Sequence, residues 1–129
     1  MQSNPYFHNP SKLELIFQTL KTELGEDLCG TFLLSAEDNK LVYAILRPEQ
    51  QEYPPFYTTI IKIANSISQK MHLGMVEDNL IVTDRYYLLT RMLGQNDYYW
   101  GLIVSKQTPL GSVRILIDRF SPQILNAIV

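Results

Sequence analysis

The segment Leu28–Ser35 is apolar on both faces of the strand that it is predicted to form. Side chains alternate along an extended chain, which places Leu28, Phe32 and Leu34 on one side and Cys29 and Leu33 on the other. A strand that is apolar on both faces belongs inside a sheet that is covered on both sides. This segment therefore predicts a three-layer structure with a sheet between helices.

Two helices are predicted at the ends of the chain. The first begins at Ser11 and ends at Gly25, a residue suited to the left-handed position after a helix. The last follows Thr108-Pro109, is expected to break at Ser121-Pro122, and continues as a short extra turn. Apolar residues at helical spacing mark the inner face of the first helix: Leu13, Ile16, Phe17, Leu20 and Leu24.

A middle helix is predicted from about Pro55 to Leu73, with Gly74 ending it. Its apolar arc covers about half of the circumference, more than the ~100° that a surface helix needs to cover a sheet. The arc consists of Phe56, Ile60, Ile63, Ala64, Ile67 and Met71, widened by Tyr57 and Ile61. Such a helix is predicted to contact both its own sheet and a partner chain.

Four further strands are separated by turn residues, and they are predicted at Leu41–Arg47, Asn79–Thr83, Tyr86–Leu93 and Tyr98–Ser105. The element order is helix, two strands, helix, three strands, helix. The predicted fold class is α/β, an α+β three-layer arrangement of a five-stranded, mostly antiparallel sheet. Residues 1–10 are interpreted as a flexible lead and residues 11–129 as a single domain.

The residues that could carry chemistry are few and scattered. His8 and His72 have no ligand-spaced partner, and Cys29 is predicted to be a packing residue with no basic neighbour to lower its pKa. With six glycines, the chain has no glycine-rich loop before a helix. We therefore expect no catalytic residue, no cofactor and no metal site.

Nucleic acid is not an expected partner. The formal net charge is −2, and the basic residues are dispersed. Tyr86-Tyr87 and Tyr98–Trp100 are expected to face each other across the last hairpin, as cross-strand packing rather than as a base-stacking platform.

The expected location is the cytoplasm, without direct membrane insertion. The first ten residues do not form a signal peptide, no apolar run approaches ~20 residues, and a single cysteine fits a reducing compartment.

The element order and two segments resemble the roadblock/dynein light-chain family, over about residues 11–120. The Cys29–Ala44 hairpin (CGTFLLSAEDNKLVYA) is similar to the family's apolar strand, short acidic turn and second strand, although Asn39 stands where many members have glycine. Tyr98–Ser105 followed by Thr108–Arg114 (TPLGSVR) resembles the late strand and the Leu-Gly-x-x-Arg helix start of prokaryotic members.

The resemblance implies a five-stranded sheet with one helix, the middle one, on one face and two, the first and the last, on the other. It also implies a non-enzymatic scaffold or a regulator of Ras-like small GTPases that works as a two-fold homodimer. Members usually pair through the middle helix and the first of the last three strands. Here the implied dimer interface is Phe56, Tyr57, Ile60, Ile61, Ala64, Ile67, Asn79, Leu80, Ile81, Val82 and Thr83.

Several alternatives remain open from the sequence. The chain could be a structural adaptor of a pilus, secretion or motility machine without a GTPase, or it could be a small-ligand sensor domain. A secretion-chaperone fold is disfavoured because it usually places three strands before its middle helix. Pairing with a paralogue instead of a second copy also remains open.

Overall fold

The computed structural model describes residues 10–128, which form three α-helices and one five-stranded antiparallel sheet. The helices are α1 (Pro10–Leu24), α2 (Tyr53–Lys70) and α3 (Leu110–Ile128), and the strands are β1 (Leu28–Ser35), β2 (Leu41–Ile45), β3 (Asp78–Val82), β4 (Tyr86–Leu93) and β5 (Tyr98–Ser105). Two single 3₁₀ turns occupy Gly25–Asp27 and Pro48–Gln50. This order of helices and strands is the predicted one.

The sheet has the strand order β2-β1-β5-β4-β3, so that β2 and β3 are its edges. α1 and α3 cover one face, where the apolar cluster includes Phe17, Leu33, Trp100 and Phe120. α2 covers the other face, where a smaller cluster forms around Phe32, Tyr57 and Ile61. β1 contributes to both clusters, as a strand that is apolar on both faces requires. The predicted three-layer fold is confirmed.

A β-bulge at Cys29 changes the sides on which two residues of β1 lie. Leu28 is paired with Val104 and Gly30 with Ile103, which leaves Cys29 as an extra residue. The extra residue reverses the alternation of side chains before it. Leu28 therefore packs with the α1/α3 cluster, and Cys29 packs with the α2 cluster. The predicted sides of these two residues were wrong.

Helix α3 runs through Pro122 without a break, so the predicted interruption at Ser121-Pro122 was wrong. The proline removes one backbone hydrogen bond, to the carbonyl four residues earlier. Phe120 and Ile124, on either side of it, are both buried in the core. Packing on both sides of the proline holds the last turns in helical geometry.

The other boundaries differ from the predicted ones by a few residues. α1 begins at Pro10, α2 begins two residues early at Tyr53, and β2 ends at Ile45. α2 ends at Lys70, because the chain turns at His72 and Gly74, which both have positive φ angles, 58° and 92°. Most of the predicted lead, residues 1–9, lies outside the described residues.

The aromatic residues of the last hairpin do not face each other. The turn between β4 and β5 pairs Leu93 with Tyr98 and Arg91 with Trp100, whereas Tyr86 is paired with Ser105 at the far end. The two aromatic groups therefore lie at opposite ends of the hairpin, and the predicted cross-strand pairing was wrong. Of the helices in the described range, not one combines the length and the apolar character needed to cross a membrane.

Candidate interaction surface

Helix α2 packs on the sheet with one side and exposes apolar residues on the other. Pro54, Tyr57, Thr58 and Ile61 are its buried residues. The opposite side carries an apolar row, here named the α2 stripe, which consists of Phe56, Ile60, Ile63, Ile67 and Met71. Four of its five members are exposed, with Phe56 61% and Met71 60% accessible. The stripe is therefore not covered within residues 10–128.

The sheet beneath α2 is covered unevenly. Phe32 of β1 and Ile103 of β5 are buried under the helix, whereas Leu88 of β4 is only half-buried. Ile81 of β3 is the cross-strand partner of Leu88 and shares its face. A strip of sheet next to the stripe, on the side of β3, therefore continues the apolar surface.

Strand β3 is an edge whose outer backbone groups have no pairing strand among the described residues. Only five residues long, it is hydrogen-bonded to β4 along its inner edge. Edge strands of this kind can add a strand from another chain. The stripe and the open edge lie on adjoining parts of the molecule, so one partner could cover both.

An ion cluster at Asp78 fixes the start of β3. The Asp78 carboxylate accepts hydrogen bonds from Arg114 of α3 at 2.8 Å and from Arg91 of β4 at 3.3 Å. Arg91 also donates to Asp118 of α3 at 3.0 Å. The Arg of the Leu-Gly-x-x-Arg segment therefore connects the last helix to the open edge strand.

A groove of about 380 Å³ lies beside the first half of α2. Tyr53, Phe56 and Ile60 of the helix line one wall, and Leu88 and Ile103 of the sheet line the floor. The groove is mostly apolar and opens beside the exposed Phe56 side chain. Its position makes it a continuation of the α2 stripe toward the sheet.

Cys29 also lines this groove, and the structure gives it a basic neighbour, Arg47, that the sequence did not suggest. Burial raises the pKa of the Cys29 thiol, and the charge of Arg47 opposes that rise only in part. A raised pKa keeps the group as a neutral thiol, which is a poor nucleophile. The expectation that no basic group is near was wrong, but the packing role fits the position in the α2 cluster.

Gln50 holds the connector to the bulged strand. Its Nε2 donates to the carbonyl of Cys29 at 3.0 Å, and its Oε1 accepts from the backbone N–H of Arg47 at 2.9 Å. With only 2% of its surface exposed, Gln50 fixes the connector that leads into α2. Gln50 was not predicted from the sequence, because no local pattern in the polar connector marks it.

The eleven residues of the predicted interface fall into three groups. Phe56, Ile67, Val82 and Thr83 are exposed; Ile60, Ala64, Asn79, Leu80 and Ile81 are half-buried; Tyr57 and Ile61 are buried against the sheet of their own subunit. Leu80 packs with the α1/α3 cluster. Ile63 and Met71, which the sequence placed in the helix arc but not in the interface, are exposed beside the first group.

The described residues are not arranged for base stacking or for metal binding. Trp100 is 1% exposed and Tyr99 is buried, so neither can stack on a base. Within residues 10–128, no three side chains of His, Cys, Asp or Glu are placed to hold a metal ion. His72 occupies the exposed turn after α2, and His8 lies outside the described residues.

The arrangement of helices about this strand order is that of a roadblock-type fold. The structure matches a roadblock/LC7 domain from Streptomyces avermitilis with a TM-score of 0.70 and 11% identity, over 87% of this chain and 90% of that one. The fold class that the sequence resemblance implied is therefore confirmed.

Two individual proteins of this fold are matched over almost the whole chain. MglB of Myxococcus xanthus gives a TM-score of 0.79 at 12% identity, covering 98% of this chain and 91% of that one. The gliding protein MglB of Thermus thermophilus gives 0.78 at 12% identity, covering 98% and 93%. Searches with the sequence match no family model and no curated protein. At these identities the likeness establishes the fold.

Proposed function

We propose that the chain is a non-catalytic regulatory domain that works as a two-fold homodimer and binds a Ras-like small GTPase. The observation that carries the proposal is the α2 stripe next to the unpaired edge of β3. Exposed apolar surface of this extent usually marks a protein interface. The same surface on two copies can be self-complementary about a two-fold axis.

Pairing is the first step to test. Light scattering is expected to give a mass of about 30 kDa, twice the 14.9 kDa of one chain, at micromolar concentration. Ile67→Asp places a charge in the stripe and is expected to give a monomer. The matched control is Ile115→Asp, because Ile115 is 70% exposed on α3, on the other face of the sheet. A wild-type monomer at this concentration would contradict the proposal.

The GTPase is proposed from the fold and from the family that the sequence resembles, which is an argument by analogy. The MglB neighbours include a gliding protein, which favours a partner in cell motility or polarity. Purified Ras-like GTPases of the host would be mixed with the chain, and complex formation and GTP hydrolysis would be measured. Binding or a changed hydrolysis rate supports the proposal. A stable dimer that neither binds these GTPases nor alters their hydrolysis favours the adaptor function instead.

A further inference from the structure

The groove beside α2 adjoins a second groove of different character. The first, here named the apolar groove, has a volume of about 380 Å³ and is bordered by side chains such as Phe56, Leu88 and Ile103. The second has a volume of about 300 Å³ and lies between the last turn of α1, the start of β1 and the end of β2. Cys29 and Arg47 line both grooves. The two grooves therefore meet at these two residues.

The second groove, here named the basic groove, has more positive than negative charge in its wall. Lys21 and Arg47 line it, against one carboxylate, Glu26. No ion pair joins Lys21 to another residue of the range 10–128. Glu49 contacts the Nε atom of Arg47 at 3.0 Å, with side chains that are 61% and 66% exposed. Such an exposed ion pair costs little to open, so it does not prevent Arg47 from binding an anion in the groove.

The apolar groove has a polar residue without a partner in its wall. Tyr57 lines this groove and is only 5% exposed. Its buried hydroxyl has no hydrogen-bond partner within the described part of the chain. Buried polar atoms of this kind are rare in native proteins and call for an explanation. An oxygen atom of a bound ligand could accept a hydrogen bond from the phenol.

We propose that the two grooves together bind one free amphiphile, a carboxylic acid with an unbranched alkyl chain of medium length. The carboxylate would lie beside Arg47 and Lys21, and the alkyl chain would lie along Phe56 and Leu88. Each groove alone reaches the range of about 300–1,000 Å³ that is typical of small-molecule sites. Glu26 disfavours a doubly charged phosphate in place of the carboxylate. This inference goes beyond the proposed function and requires neither a GTPase nor a dimer.

Thermal unfolding in the presence of sodium decanoate tests the binding. Decanoate is expected to raise the melting temperature by several degrees, because a ligand that binds only the folded chain stabilises it. Decanol and decyltrimethylammonium share the alkyl chain but lack the negative charge, and acetate lacks the chain. These three matched controls are not expected to raise the melting temperature. An equal rise with any of them would contradict the proposal.

The thiol of Cys29 reports where the ligand lies. It is the only cysteine of the chain, it is half-buried, and it lies where the two grooves meet. Saturating decanoate is expected to slow its alkylation by iodoacetamide about tenfold, because the reaction depends on access to the thiol. Acetate at the same concentration is the control. A rise in melting temperature with an unchanged alkylation rate would place the ligand elsewhere and overturn the proposal.

Arg47→Gln tests the anionic end of the ligand. The variant is expected to weaken decanoate binding about tenfold, through the loss of one hydrogen bond between charged groups. The connector should keep its fold, because Gln50 accepts from the backbone N–H of Arg47 and not from its side chain. Arg119→Gln is the matched control, since it also removes an exposed arginine from an ion pair with a glutamate. Equal affinities of the two variants would contradict the role of Arg47.

Ile67→Asp separates this inference from the proposed homodimer. Ile67 belongs to the α2 stripe but lines neither groove, whereas Phe56 belongs to the stripe and to the apolar groove. Decanoate binding to both chains supports the proposal, and binding to the variant alone supports it and shows that a partner chain covers the groove in the wild type. Binding to neither chain overturns the proposal and leaves the homodimer untouched. A monomeric wild type that binds decanoate contradicts only the homodimer.

A membrane surface is the competing source of an anionic amphiphile. Sedimentation with phosphatidylglycerol vesicles would detect it. We expect no cosedimentation, because the proposed ligand is free in solution and enters the grooves as a single molecule. Cosedimentation by a chain that does not bind free decanoate would assign the basic groove to a membrane surface and overturn the proposal.

Discussion

The ring of Phe32 lies directly over the α-carbon of Gly101, its cross-strand partner in β5. A β-carbon built at Gly101 would lie 2.1 Å from Cζ of Phe32. Tyr57 of α2 meets the same ring edge-on, with 4.8 Å between the ring centroids. The missing side chain at position 101 makes room for the aromatic pair on which α2 rests.

Gly101→Ala is expected to destabilise the fold by about 2 kcal/mol, because the added methyl group would collide with the buried ring of Phe32. Urea unfolding would measure the loss. Gly111→Ala is the matched control, since the added methyl group at the start of α3 would meet no described atom within 4 Å beyond its chain neighbours and its own helix backbone. Combining Gly101→Ala with Phe32→Leu should cost less than the sum of the two single losses. Strict additivity would show that the ring does not occupy this space.

Thr31 connects β1 to Trp100 through its hydroxyl group. The hydroxyl donates to the carbonyl of Gly101 at 2.8 Å and accepts the indole N–H of Trp100 at 2.9 Å. Thr31→Val leaves the buried indole N–H without a partner and is expected to cost about 1–3 kcal/mol. Thr31→Ser keeps the hydroxyl and serves as the control. In a Trp100→Phe chain, which has no indole N–H to pair, Thr31→Val should cost less stability than it does in the wild type. Equal losses for Thr31→Val and Thr31→Ser would contradict this role of the hydroxyl.

Tyr57 gives a prediction for alkaline pH. Its hydroxyl is buried with no hydrogen-bond partner among residues 10–128, and burial raises the pKa of Tyr57 above its ordinary value. Below about pH 10 the phenol is protonated in both states; above it the unfolded chain ionises first, and stability falls. We expect Tyr57→Phe to be at least as stable as the wild type at about pH 7 and increasingly more stable above about pH 10. Thermal unfolding across this range would test it, and parallel pH profiles would contradict it.

The Asp78 cluster is expected to matter for the edge strand. Asp78→Asn removes the charge that Arg91 and Arg114 share, and we expect a loss of about 1 kcal/mol because the groups are partly exposed. The loss should shrink in about 1 M salt. Glu23→Gln, in the more exposed pair with Arg119, should cost less. Amide exchange would show faster opening of β3, and an unchanged exchange rate there would contradict the connection.

Periodicity predicted most of the fold because it reports burial directly. All five apolar residues of the predicted α1 stripe are buried, and the β1, β4 and β5 boundaries agree with the structure. Periodicity failed where one extra residue interrupts the alternation of side chains along a strand. One extra residue at Cys29 reversed the predicted sides. The aromatic groups were misplaced for a different reason: in an antiparallel hairpin with these bounds, Tyr98 lies beside the turn opposite Leu93, and Tyr86 lies at the far end opposite Ser105.

The candidate surface was predictable in outline but not in detail. A broad apolar arc on α2 can be seen in the sequence, yet it does not reveal which side meets the sheet. Tyr57 and Ile61, which the sequence analysis used only to widen the arc, are the apolar arc residues that α2 buries against the sheet, together with Pro54 and Thr58. The cluster of Asp78, Arg91 and Arg114 joins three elements that are distant in sequence, and no local pattern marks such a contact.

Both apolar clusters are built from residues of one chain, and this has a consequence for how pairs would behave. A subunit that leaves its partner would keep its folded core, so separation would not require unfolding. Pairs could then trade members, and the paired fraction would follow the amount of protein present. A paralogue with a matching helix could enter mixed pairs by the same route, without new synthesis of either chain.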